Sequence, residues 1–155
     1  MCVWWDCGGI IRFELLKPGV TITAELYCQQ LDRLRNQLLI KRSGLVNRKG
    51  VIFQHDNARP HAAKLTQEKI RQLNWEVLPH PPYSPDIAPS DFHLFRSMEH
   101  YLKNKNFKNV DDVRTHLEEY FSSKETKFYE RGIETLPTRW QKVIDNDGNY
   151  IIDKK

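Results

Sequence analysis

The sequence predicts an α/β domain, and three observations carry that reading. Ile11, Phe13 and Leu15 alternate with Arg12 and Glu14, the period-two pattern of a half-buried strand. Two short apolar runs, at 51–53 and 75–78, flank a stretch in which Ala63, Thr66, Ile70 and Leu73 recur at helical spacing, so the two strands of this β-α-β unit should be parallel. Beyond residue 90 the apolar stripes are all helical. A length of 155 residues with 39% hydrophobic and 28% charged residues suits one globular domain with a core of its own.

Each element follows from its residues. Cys2, Val3, Trp4 and Trp5 form a strand ending at Asp6, and the turn residues Gly8 and Gly9 make residues 1 to 16 a hairpin, closed off by Pro18 and Gly19. Thr23 is an N-cap for a helix running to about Lys41, with Tyr27, Leu31, Leu34 and Leu38 on one face. Val51, Ile52 and Phe53 read as a strand buried on both faces, leading into Gln54, His55 and Asp56. Five prolines between 79 and 89 forbid helix and give a stiff loop. Ser90 is expected to cap the next helix, with Asp91 in its first turn and Leu94, Phe95, Met98, Tyr101 and Leu102 along its apolar face. Asn109 caps a helix burying Val113, Leu117, Tyr120 and Phe121, and a last helix, 128 to 144, is broken near Pro137 before the Asp147-Gly148 turn and a short apolar tail.

Several classes are excluded at this level. No run approaches the ~20 apolar residues of a membrane-spanning helix, and the first residues lack the progression of a secretion signal, so no membrane partner is expected. Cys2, Cys7 and Cys28 form an odd set with neither CxxC spacing nor histidines at zinc-finger distance. Net charge is +4, but its distribution says more: Arg33, Arg35, Lys41, Arg42, Arg48 and Lys49 fall between positions 33 and 55 with no acid after Arg33. That run is either a solvated helix face or a surface for nucleic-acid phosphates.

Two acids stand out by context. Asp56 closes a strand and Asp91 opens a helix after the proline-rich loop; carboxylates brought together there repel unless Mg²⁺ or Mn²⁺ joins them, the arrangement used in phosphodiester chemistry. Taken singly, Asp56 is a turn residue and Asp91 a partner of the helix dipole. Asp6 and Asp86 read as turn and loop acids bonding local backbone. His55 and His61 bracket Asp56 as ligands or proton shuttles, or else satisfy backbone groups, and Trp4, Trp5 and Trp75 read as core.

The strings "HDNARPH" at 55–61 and "WEVLPHPPYSPDIAPSDFHLF" at 75–95 resemble the catalytic core of mariner-family DNA transposases. "WWDCGG", "ELLKPG", "FYERGI" and "LPTRWQKVIDNDGNY" extend the resemblance over essentially the whole chain, and the transposase half of a fusion with a SET methyltransferase domain is similar as well. The resemblance implies an RNase H-like mixed sheet flanked by helices and a triad of aspartates binding Mg²⁺ or Mn²⁺ for cut-and-paste DNA transposition. By motif, Asp56 matches the second aspartate and Asp91 the third, separated by the thirty-four residues 57 through 90. The first aspartate of the family, on a central strand, and its helix-turn-helix region have no counterpart here, so residues 1–155 are expected to be one partial catalytic domain, inactive alone. The family further implies transposon-end and target DNA as partners, a homodimer when full length, and the nucleus as location. The alternative is a non-catalytic remnant that binds DNA or protein.

Overall fold

The computed structural model describes residues 1–151; residues 152–155 of the expected apolar tail lie outside the described residues. The opening hairpin forms as expected, from β1 (Cys2–Asp6) and β2 (Gly9–Glu14). Gly9 enters β2 at φ 111°, a backbone angle that side-chain-bearing residues rarely adopt. The chain divides into two compact units: Met1–Trp4 with Ile11–Pro82, and Trp5–Ile10 with the chain from Tyr83 onward.

The first unit is built on α1 (Ala24–Lys41), capped by the Thr23 hydroxyl accepting from the Leu26 N–H at 3.2 Å. Its buried face carries Tyr27, Leu31, Leu34 and Leu38 into one core with Trp4, Ile11, Phe53, Ile70 and Trp75. A single π-helical turn (Leu45–Lys49) leads to β3 (Ile52–Phe53). Two helices follow, α2 (Arg59–Ala62) and α3 (Lys64–Gln72), interrupted at Ala63, whose ψ of 143° is extended. β4 (Glu76–Val77) then pairs parallel to β3, the Glu76 and Leu78 N–H groups donating to the Val51 and Phe53 carbonyls at 2.9 and 2.8 Å. The β-α-β reading therefore holds, but burial on both faces does not. Ile52 is 68% exposed while Phe53 is core, because successive strand residues point to opposite faces and only the Phe53 face meets the helices. Among the described residues the strands form two separate pairs, β1-β2 and β3-β4, with no ladder joining them.

The second unit is helical. A 3₁₀ turn (Pro85–Ile87) precedes a π-helical segment (Ser90–Phe95) continuous with α4 (Arg96–Leu102), followed by α5 (Val110–Ser122), α6 (Thr126–Glu134) and α7 (Leu136–Asp145). Asn109 caps α5 as expected, accepting from the Asp112 N–H at 2.8 Å, and the helix buries Leu117, Tyr120 and Phe121, although Val113 is only half-buried. The break near Pro137 falls at Thr135. One expectation fails outright: Ser90 does not cap its helix. Pro89 is already helical at φ −55° and ψ −32°, so the Ala88 carbonyl opens the helix by accepting from Asp91 and Phe92. The apolar stripe also shifts at the π segment, where Leu94 is fully buried but α4 buries none of its residues.

Candidate active site

Asp56 lies three residues past β3, in the segment that enters α2. Its Oδ1 accepts from the Ala58 N–H at 3.0 Å, a turn fixed by the aspartate's own side chain, and from His61 Nδ1 at 2.6 Å. The side chain is 63% exposed. Partial burial raises its pKa, but the Ala58 N–H and the nearby His61 outweigh that, and the carboxyl titrates below its ordinary range. Asp56 is therefore an ionised, solvent-facing carboxylate at neutral pH.

Histidines and a tyrosine back it. His55 Nδ1 is 3.1 Å from the Tyr27 hydroxyl, and the His55 and His61 rings stack at 5.2 Å and 11°. Burial, then the neighbouring His61, press the His55 pKa down to about 4, so this ring is neutral at physiological pH. Burial pushes the Tyr27 phenol far upward, so its proton stays on. Neither histidine serves a backbone group, contrary to the simpler expectation. His61 reaches Asp56 because the Asx turn and α2 fold the chain back on itself locally, whereas His55 meets the Tyr27 hydroxyl on α1, 28 positions away in the chain. Asn57 donates to the His80 carbonyl at 2.5 Å, anchoring the start of the proline-rich loop. His55, Asp56, Asn57, His61, Arg71 and Trp75 are among the residues lining a cleft of about 400 Å³ in this unit.

Asp91 occupies the first turn of the π-helical segment in the second unit. Two long-range anchors hold that segment. The Trp5 indole donates to Ser90 Oγ at 3.0 Å, and the Arg139 guanidinium lies 4.2 Å over the Phe92 ring while donating to the Asp86 carbonyl at 2.9 Å. Asp86 is buried, and its Oδ2 accepts from the Ile151 N–H at 2.9 Å, so it ties the loop to residue 151 instead of bonding neighbouring backbone. Asp6 does act locally, accepting from the Gly8 N–H. Trp4 and Trp75 are core, whereas Trp5 is half-buried and bonded through its indole N–H. None of the anchors on the Asp91 segment has a short-range sequence signal, since Trp5 and Ser90 are 85 positions apart.

The basic run is divided by its partners. Arg33 grips both Glu14 oxygens at 2.8 and 2.9 Å, and Lys41 donates to the Ile11 carbonyl at 2.9 Å, so both hold the hairpin to α1. Arg35 and Arg48 are exposed, and Arg42 is half-exposed with one donor on the Lys41 carbonyl; the Lys49 side chain lies outside what is described. Carboxylate oxygens such as those of Asp56 and Asp91 suit Mg²⁺ or Mn²⁺ in donor type. Among the described residues, however, no group of three or more His, Cys, Asp or Glu side chains is gathered to hold an ion. No helix among them is long and apolar enough to cross a membrane.

A family profile described as "Transposase (partial DDE domain)" matches residues 1–48. The Mos1 transposase catalytic domain, solved with Mn, superposes with a TM-score of 0.95 at 49% identity, covering 97% of this chain and 76% of that one. The chain belongs to the mariner transposase family. The mariner Mos1 transposase of Drosophila mauritiana is 48% identical over 152 residues, 97% of this chain and 44% of that protein. Histone-lysine N-methyltransferase SETMAR of Homo sapiens is 45% identical over 148 residues, 96% of this chain and 22% of that protein. This mariner chain thus spans less than half the length of these two full-length relatives. Its fold is the RNase H-like α/β fold of the mariner catalytic domain.

Proposed function

We propose that this chain is the larger part of a mariner catalytic domain that cleaves transposon-end DNA and transfers its strands with Mg²⁺ or Mn²⁺. The observation that carries the reading is its likeness to a Mos1 catalytic domain solved both with Mn and with Mg, at 49% identity and a TM-score of 0.95. A Mos1 paired-end complex with Mn, at 50% identity, supports transposon-end DNA as the substrate. Asp56 and Asp91 are the residues assigned to the ion. A divalent ion held by carboxylates supplies Lewis-acid polarisation of a scissile phosphate. Asp56 contributes an ionised carboxylate open to solvent, and Asp91 a carboxylate carried on a helix start anchored by Trp5 and Arg139. Arg35, Arg42, Arg48 and Lys49 are the phosphate contacts proposed within the basic run; Arg33 and Lys41 contribute through the hairpin that they fix. The setting is the nucleus, and the working form a dimer on paired ends.

The first aspartate of the family triad has no match in these residues, and two carboxylates are short of the three or more such sites use. The chain by itself is therefore inactive. Incubation with nicked and intact transposon-end DNA in Mg²⁺ and in Mn²⁺ tests this: no cleavage is expected from the chain alone. Cleavage is expected from a chimera supplied with the remaining part of the Mos1 catalytic domain, and it is abolished by Asp56→Ala or Asp91→Ala. Cleavage by the chimera that survives both substitutions refutes the assignment. The rival reading, a non-catalytic DNA- or protein-binding remnant, draws support from the lack of a gathered metal-ligand cluster among the described residues; it requires a chimera that stays inert while the chain still binds.

A further inference from the structure

An exposed carboxylate ordinarily samples several rotamers, yet Asp56 is gripped from inside the fold. Oδ1 receives both the Ala58 N–H and His61 Nδ1. An ionised carboxylate only accepts hydrogen bonds, so Nδ1 carries the proton of the 2.6 Å bond.

The imidazole that makes this bond is itself immobilised. Its side chain is 18% exposed, the Tyr27 ring lies 4.1 Å away by ring centroids, and the His55 ring stacks on it at 5.2 Å. Tyr27 is buried on α1 and bonded to His55, so the two faces of the cluster hold one another. The turn carrying His61 is pinned as well, since the fully buried Thr66 hydroxyl donates to the Pro60 carbonyl at 2.6 Å. Rigidity thus passes from the core of the first unit through His61 to the solvent-facing carboxylate of the cluster.

We propose that His61 is a positioning residue that locks the Asp56 carboxylate through Oδ1, so that Oδ2 is offered to a divalent cation in a single orientation. This rests on Asp56 being a metal ligand. Hydrogen bonding to the non-coordinating side of a ligand carboxylate removes rotamer freedom before the ion arrives, and Mg²⁺ in particular demands near-ideal ligand geometry. The lock is built from residues of the first unit alone.

Two substitutions separate the donor from the ring. His61→Phe keeps an aromatic ring against Tyr27 and removes the donor, whereas His61→Asn keeps an N–H near the Nδ1 position and removes the ring. In the metal-free chain, NMR scalar couplings of Asp56 report its rotamers. Wild type and His61→Asn are expected to show one conformer, and His61→Phe an average. Paramagnetic broadening of the Asp56 signals by added Mn²⁺ should give an affinity about tenfold weaker for His61→Phe and near wild type for His61→Asn. Melting temperature should follow the opposite order, with His61→Asn the less stable. The inference is overturned if His61→Phe leaves the Asp56 conformer and Mn²⁺ affinity unchanged, or if both variants lose affinity in step with melting temperature. Absence of Mn²⁺ broadening at Asp56 in the wild type overturns the ligand assignment itself, while the couplings still decide whether His61 holds the side chain.

Discussion

Glu14 shows how a single residue is assigned its role by partners distant in sequence. Arg33 forks onto both of its oxygens, Arg12 donates to Oε1 at 2.7 Å, and Gln30 donates to Oε2 at 3.1 Å. Chiefly through the Arg33 bonds, and against the effect of burial, the carboxyl is held at about 2, below its ordinary 4.5. A depressed folded-state pKa means that the stabilisation is complete above pH 4.5 and is lost as pH falls from 4.5 towards 2. Thermal melts across this window should therefore show a decline in melting temperature that is shallower in Glu14→Gln, which starts lower at neutral pH. Parallel declines for both proteins would show that Glu14 does not govern the acid limb. The alternation of Arg12, Phe13 and Glu14 tells which face of β2 is polar; it does not tell that α1 supplies the counter-charge.

At the scale of elements, α1 and α5 follow their sequence signals closely, because Thr23 and Asn109 cap locally and the apolar spacing that follows is regular. The segment bearing Asp91 departs from its signal because its start is decided by long-range partners: Ser90 gives its oxygen to Trp5, and the helix begins one carbonyl earlier. Helix α6 closes against the same region. A Cβ on Gly132 would lie 2.6 Å from the His93 ring and 2.8 Å from the Trp5 ring, and His93 cannot simply withdraw, since its Nε2 donates to the Phe128 carbonyl at 2.8 Å. Alanine at a helical position gains about 1 kcal/mol in propensity, but overpacking of this severity costs about 3 kcal/mol. Gly132→Ala should consequently lose about 2 kcal/mol, read by denaturant unfolding. A neutral or stabilising result would show that α6 can back away from the Trp5 and His93 rings.

For the whole molecule, the proposed DNA binding is open to a salt test. Each phosphate-binding cation that is removed lowers the slope of log affinity against log salt by about 0.9 for duplex DNA. Charge reversal at Arg42 and Lys49 together should flatten the slope for non-specific duplex by up to about two such steps, read by fluorescence anisotropy. An unchanged slope would remove the 33–49 run from the DNA surface. Arg33→Glu, by contrast, should act mainly on folding, because that guanidinium is already committed to Glu14.

The hairpin, the parallel β-α-β unit, the helical second half and, through strings such as "HDNARPH", the family were legible in the order of residues, because these depend on neighbours a few positions apart or on recognisable motifs. Which side chains are committed to one another emerges from long-range packing: Arg33 to Glu14, Asp86 to Ile151, Trp5 to Ser90, and His61 wedged between Tyr27 and Asp56. The reason is physical. Capping and periodicity are written in local spacing, whereas a buried or half-buried polar group is satisfied by whatever the fold brings within about 3 Å, a distance that spacing along the chain does not encode.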